Sequence, residues 1–160
     1  MAREMKISGM DELSRMLEKL GTQAGAVAAQ ALYKGAGIVA DAVRQSAESL
    51  DTEPFRFAGE NRPRKASPEE KDVLVQYAAG IARFERSGAE VSTSVGLKDA
   101  GYADIAGKTI PVPVIARSIN SGTTFRVKQP FFRLAVNKAR GKASAAIASE
   151  VEKAVNEIMR

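Results

Sequence analysis

The chain has 160 residues, 44% of them hydrophobic and 27% charged, and carries a formal net charge of +5. That composition belongs to a folded chain rather than a disordered one, and the length suits a single domain able to bury a core. Without Cys or His there is no disulfide, no thiolate nucleophile, no Cys-based zinc site and no Ser–His–Asp or Cys–His arrangement.

In chain order, the opening MAREMKIS lacks the apolar stretch of a secretory signal, and no later run reaches the roughly eighteen apolar residues that span a bilayer. Synthesis in the cytoplasm, with no membrane contact, is the expectation. Glu4 to Ile7 reads as a short leading strand, with a turn at Ser8-Gly9. Met10, Leu13, Met16, Leu17 and Leu20 then recur at helical spacing, and Gly21 is expected to end that helix.

From Thr22 to Leu50 the chain is rich in Ala and free of Pro, with an apolar stripe through Val27, Ala31, Ile38, Val39, Ala42 and Val43. A second, long helix is predicted here. Gly35 and Gly37 interrupt it, which implies a bend or the close approach of another element. Residues 51–66, with two prolines and several basic residues, read as a surface loop. Phe55 and Phe57 bracket Arg56 in that loop. They form either a docking patch or, as aromatics more often do, anchors folded onto the core. Arg62, Arg64 and Lys65 are of the type that contacts phosphates, but too few to define a site.

Ser67-Pro68-Glu69-Glu70 is a helix start: Ser at the cap, Pro in the first turn, Glu70 completing a capping box. Val73, Leu74, Tyr77, Ala78, Ile81 and Phe84 extend the predicted helix to Ser87-Gly88. Glu90–Leu97 alternates as a half-exposed strand, and the β-branched stretch Val112–Ile119, after Pro111, predicts an edge strand. Gly101 through Gly107-Lys108-Thr109 imitates a phosphate-binding loop. The spacing is one residue too long and no helix pattern follows, so the match is dismissed. Ser121-Gly122 marks a turn, Thr123–Val127 a short strand, and Pro130 opens a last helix over 131–159.

The charge is unevenly placed. Residues 126–160 hold eight Lys or Arg against three Glu, while 1–125 hold sixteen of each sign. This is either a solvated face or a surface that meets an acidic partner such as nucleic acid or a neighbouring subunit. The neighbouring carboxylates Asp11-Glu12, Glu69-Glu70 and Glu150 with Glu152 lie on predicted helices in polar positions and diverge around the axis, so none forms an acid/base pair. No catalytic residue, cofactor or metal is assigned. The expected fold class is α+β: a small antiparallel β-sheet packed against long α-helices, as one domain over 1–160.

Several segments carry a family resemblance. Ile7-Ser8-Gly9-Met10-Asp11-Glu12-Leu13 opens it, and the Ala-rich helix with Lys34-Gly35-Ala36 follows. The strongest part is Ile115-Ala116-Arg117-Ser118-Ile119-Asn120-Ser121-Gly122-Thr123, then Gln129-Pro130-Phe131-Phe132-Arg133-Leu134-Ala135. The chain resembles the gene-product-ten-like minor structural proteins of long-tailed bacteriophages, which include tail-completion and head–tail joining components. The likeness is to a strand ending in Glu or Asn, any residue, then Gly-Thr, followed by Pro-Phe and a basic helix. It departs at Leu50-Asp51-Thr52-Glu53-Pro54, where many members carry a Thr-Gly-Leu turn.

The resemblance implies a non-enzymatic virion component that assembles into a homo-oligomeric ring around the DNA passage. Its partners would be other phage neck or tail proteins, with non-specific DNA contact. The expected subunit interface is Asn120, Gly122, Thr123, Arg126, Lys128, Phe131, Phe132 and Arg133, where a turn, paired aromatics and basic residues meet. A nucleic-acid-binding regulator using the basic last helix is the alternative, and an enzyme working through carboxylates or Lys a weaker third.

Overall fold

The computed structural model describes residues 10–57, 61–77, 79–87, 90–97 and 101–160. The expected strand at Glu4–Ile7 and turn at Ser8-Gly9 lie outside them. The frame is a pair of long antiparallel helices, α1 (Met10–Glu48) and α4 (Phe131–Met159). Their direction is fixed by two cross-links. Ser46 Oγ donates to the Phe131 carbonyl at 2.7 Å, and Lys34 pairs with Glu150 at 2.8 Å.

Small residues make the pairing close. Ala31, Ala36, Ala40 and Ala47 on α1 and Ala135, Ala139 and Ala143 on α4 are buried, so the ridges of one helix sit in the grooves of the other with little between the backbones. Gly35 belongs to this contact, because a Cβ there would lie 2.6 Å from Ile147. Of the two readings for the glycines, close approach holds at Gly35, whereas Gly37 has open space. On the last helix Leu134 and Val151 are exposed, whereas Phe131 and Ala135 are buried.

The expected break at Gly21 does not occur. α1 runs unbroken for 39 residues, about 58 Å at 1.5 Å per residue. One glycine costs a helix only about 1 kcal/mol, and good helix formers, Lys19, Leu20, Gln23 and Ala24, stand within a turn of it.

Between the long helices, among the described residues, lie two short ones and three small antiparallel ladders. α2 (Pro68–Tyr77) begins where the cap predicts, with the Glu70 N–H donating to Ser67 Oγ at 3.2 Å. It ends at Tyr77, well before Phe84. Ile81 lies instead in β1 (Gly80–Ile81), paired with β4 (Val95–Gly96), and β2 (Glu85–Ser87) pairs with β3 (Glu90–Ser92). The two ladders form one ribbon whose register slips by a residue between them, so 82–84 oppose 93–94 as a bulge. The half-exposed strand expected over 90–97 is thus split in two. Cross-strand pairing outweighs a helical periodicity that would have had to run through Gly80.

The third ladder joins β5 (Tyr102–Ile105) to β6 (Lys108–Pro111). Ala106 and Gly107 both have positive φ, 51° and 79°, the two-residue turn that matches strand twist. The Gly-Lys-Thr run is therefore the tip and return of a hairpin. Val112–Ile119, expected as an edge strand, is instead the body of α3 (Val112–Ser121). Pro113 sits in its first turn, where a missing N–H is harmless, and Val112, Ile115, Ala116 and Ile119 form its buried stripe. Thr123–Val127 is not a strand but a tight turn closed by Thr123 and Arg126.

The fold is α+β, with small antiparallel ladders packed against a long helix. Leu74, Val43 and Ile119 are wholly buried in a core that also takes in Leu50, Ile105, Ile115 and Phe131. No helix among the described residues is long and apolar enough to cross a membrane.

Candidate functional site

The expected interface segment, Asn120 to Arg133, is built around one buried carboxylate. Glu70 points inward from the first turn of α2 with only 1% of its surface exposed. Its two oxygens are taken separately: Oε1 by Arg64 and Oε2 by Arg126, whose side chains are each 13% exposed. Ser67 Oγ–H adds a third contact, to Oε1 at 3.3 Å. Burying a carboxylate costs several kcal/mol unless opposite charge and hydrogen bonds surround it, and here they do. The polar position expected for Glu70 is therefore corrected. Its carboxylate is a bolt between chain segments rather than a solvated cap.

The arginines reach it because their backbones lie side by side. The Arg64 N–H donates to the Phe125 carbonyl at 3.0 Å, and the Val127 N–H donates to the Arg64 carbonyl at 2.9 Å. Gln129 completes the stitching: Nε2 donates to the Asp51 carbonyl at 2.8 Å and Oε1 accepts the Ala66 N–H at 3.2 Å. The expected surface loop 51–66 is thus tied down at both ends. Lys65 pairs with Asp51, whose carboxyl is held below its ordinary range by that ammonium. Arg64 also lies over the Phe55 ring, 5.0 Å from its centroid. Arg64 and Lys65, whose type suits phosphate contacts, are each paired to a carboxylate of the chain itself. Phe55 packs onto the core as expected, whereas Phe57 stays 79% exposed.

The eight expected interface residues divide by environment. Arg126 is committed to Glu70, and Phe131 is buried in the core, so neither side chain faces outward. Gly122 holds φ 73° at the end of α3, packed so that a Cβ would fall 2.8 Å from the Lys128 Cβ. Thr123 shapes the turn, its Oγ1 accepting the Phe125 N–H at 3.2 Å. Asn120 Oδ1 accepts the Arg133 N–H at 3.3 Å, which caps the opening of α4. Lys128 and Arg133 are exposed. Asn120, Phe131 and Phe132 line a shallow hollow of about 270 Å³ with Arg117.

On the other side of the segment lies a second cavity, of about 300 Å³, between the 51–66 loop, the tip of the β5–β6 hairpin and the Thr123–Arg126 turn. Its floor is aliphatic and its walls are cationic. Sequence reasoning missed Glu70, Gln129 and this cavity. For Glu70 a signal existed: Glu70, Leu74 and Tyr77 share a helical face, so a carboxylate stood on the stripe that had to be buried. Nothing local marks Gln129.

No cluster of three or more acidic, His or Cys residues able to hold a metal ion occurs among the described residues. Compared with known proteins, the chain matches no protein-family model, no curated protein and no solved structure.

Proposed function

We propose that the protein is a structural component of a tailed bacteriophage particle, acting in head–tail joining or tail completion by assembling as a ring. The supporting observation is the construction of the Asn120–Arg133 segment. Its inner side is bolted through Arg126 to Glu70, while Lys128 and Arg133 are exposed and Phe132 lines the hollow with Asn120 and Arg117. A pre-ordered surface segment loses little further freedom on docking, and that is what a module acting by assembly needs. The motif Asn120-Ser121-Gly122-Thr123 followed by Pro130-Phe131 is also the part of the chain that most resembles the phage family. Its first half stands here on a helix rather than the strand the likeness suggested.

The test uses Lys128→Glu with Arg133→Glu, both on exposed positions. Arg126 is unsuitable, because a carboxylate there would oppose Glu70 and test folding instead. In the phage that carries the gene, the double variant is expected to fold normally and to lower the yield of joined particles at least tenfold, counted by electron microscopy. Normal joining would reject the reading.

A second reading draws on α4 itself. Arg133, Lys138, Arg140 and Lys142 are exposed on its first half, and no carboxylate intervenes before Glu150. A nucleic-acid-binding role predicts salt-dependent binding of the free protein to generic duplex DNA.

A further inference from the structure

The second cavity has a composition that neither reading uses. Ile105, Ile110 and Ile115 form its floor, and Phe57 and Phe125 stand at its mouth, both exposed. Around that apolar interior Arg64, Arg126 and Lys108 supply three positive charges against the single carboxylate of Glu70, an excess of two. Arg56 also lines the wall. It is neutralised by Glu53 at 3.0 Å, but its buried Nε has no hydrogen-bond acceptor among the described residues. Arg64 and Arg126 each spend one terminal nitrogen on Glu70 and keep further N–H groups, since a guanidinium carries five.

We propose that this cavity docks an acidic segment of a partner protein that carries an apolar side chain beside its carboxylates. The apolar side chain rests on the isoleucine floor, and a carboxylate meets Lys108 and the spare guanidinium donors. Phe57 closes over it from the rim, where Lys108 already lies 5.9 Å from its ring centroid. Nucleic acid fits less well. The cations converge on one small hollow rather than tracking a backbone, and branched aliphatic side chains offer no flat surface for a base. A second copy of the chain fits less well too, because its net charge is +5. The proposal is independent of any role in a phage particle.

The test measures fluorescence anisotropy with a labelled pool of short peptides in which Leu or Phe is flanked by two Asp. A matching pool with Asn for Asp and a single-stranded oligonucleotide serve as comparisons. The acidic pool is expected to bind at least tenfold more tightly than the Asn pool. Lys108→Glu should weaken it about tenfold or more, and Phe57→Ala about threefold. Both positions are exposed, so unchanged circular dichroism melts confirm that folding is intact. Equal binding of the two pools overturns the proposal, as does indifference to Lys108→Glu. Preferential capture of the oligonucleotide, or a dimer of the free protein that Lys108→Glu dissolves, would assign the cavity to another occupant and overturn it equally.

Discussion

At the scale of single residues, Glu70 and Glu150 are two carboxylates with opposite roles. Glu70 is enclosed, and removing it strands two guanidinium groups that are nearly as buried. Glu70→Ala is expected to lower stability by roughly 3–5 kcal/mol, read as a fall in the urea midpoint with little change in slope. Replacing the whole cluster (Arg64→Met, Glu70→Leu, Arg126→Met) is expected to recover most of that loss, since uncompensated charge is what costs. Glu150 is half-buried beside the exposed Lys34. That ammonium, by hydrogen bond and by charge, holds its carboxyl below the ordinary value. A lowered folded-state pKa contributes stability above the ordinary carboxylate range and loses it as pH falls through the folded value. Lys34→Met should therefore lower the melting temperature near neutral pH by a small amount. The difference from the parent should shrink, in a series of thermal melts, as the pH falls below the ordinary carboxylate range and Glu150 is protonated.

At the scale of elements, the last helix carries half of the frame. Phe131, Ala135, Ala139 and Ala143 face α1, and the Ser46–Phe131 bond anchors its first turn. Ending the chain at Lys128 is expected to abolish cooperative thermal unfolding, because the apolar face of α1 would lose its cover. A truncated chain that melted like the parent would refute the packing described here. The helical character of both stretches was legible in the sequence because apolar spacing persists over many turns, but the pattern predicts two helices parted at Gly21 where α1 is one. That of α3 was not. Its β-branched residues favour strands by propensity, and Pro111 and Pro113 read equally well as an edge strand or as a helix opening. The spacing of Val112, Ile115, Ala116 and Ile119 would have decided for the helix. The β5–β6 hairpin was overlooked for a related reason: Ala106-Gly107 is a weak turn signal beside a conspicuous Gly-Lys-Thr.

At the scale of the whole molecule, what composition and periodicity conveyed was the class, long helices with small antiparallel ladders. What they could not convey was which distant segments meet. The Glu70 cluster joins residues 6 and 56 positions away, and Gln129 reaches across 63 and 78 positions to Ala66 and Asp51. The candidate interface was legible as a stretch of chain, but the inward commitment of Arg126 and Phe131 depends on partners that no local pattern names. The same remoteness governs how the chain is made. Phe131 follows its α1 partner Ser46 by 85 positions, which at a ribosomal pace of roughly 5–20 residues per second is about 4–17 s of synthesis. Throughout that interval the Ala-rich face of α1 has emerged while α4 does not yet exist. A newborn chain thus shows chaperones, and its own neighbours on the polysome, the surface that the finished protein conceals.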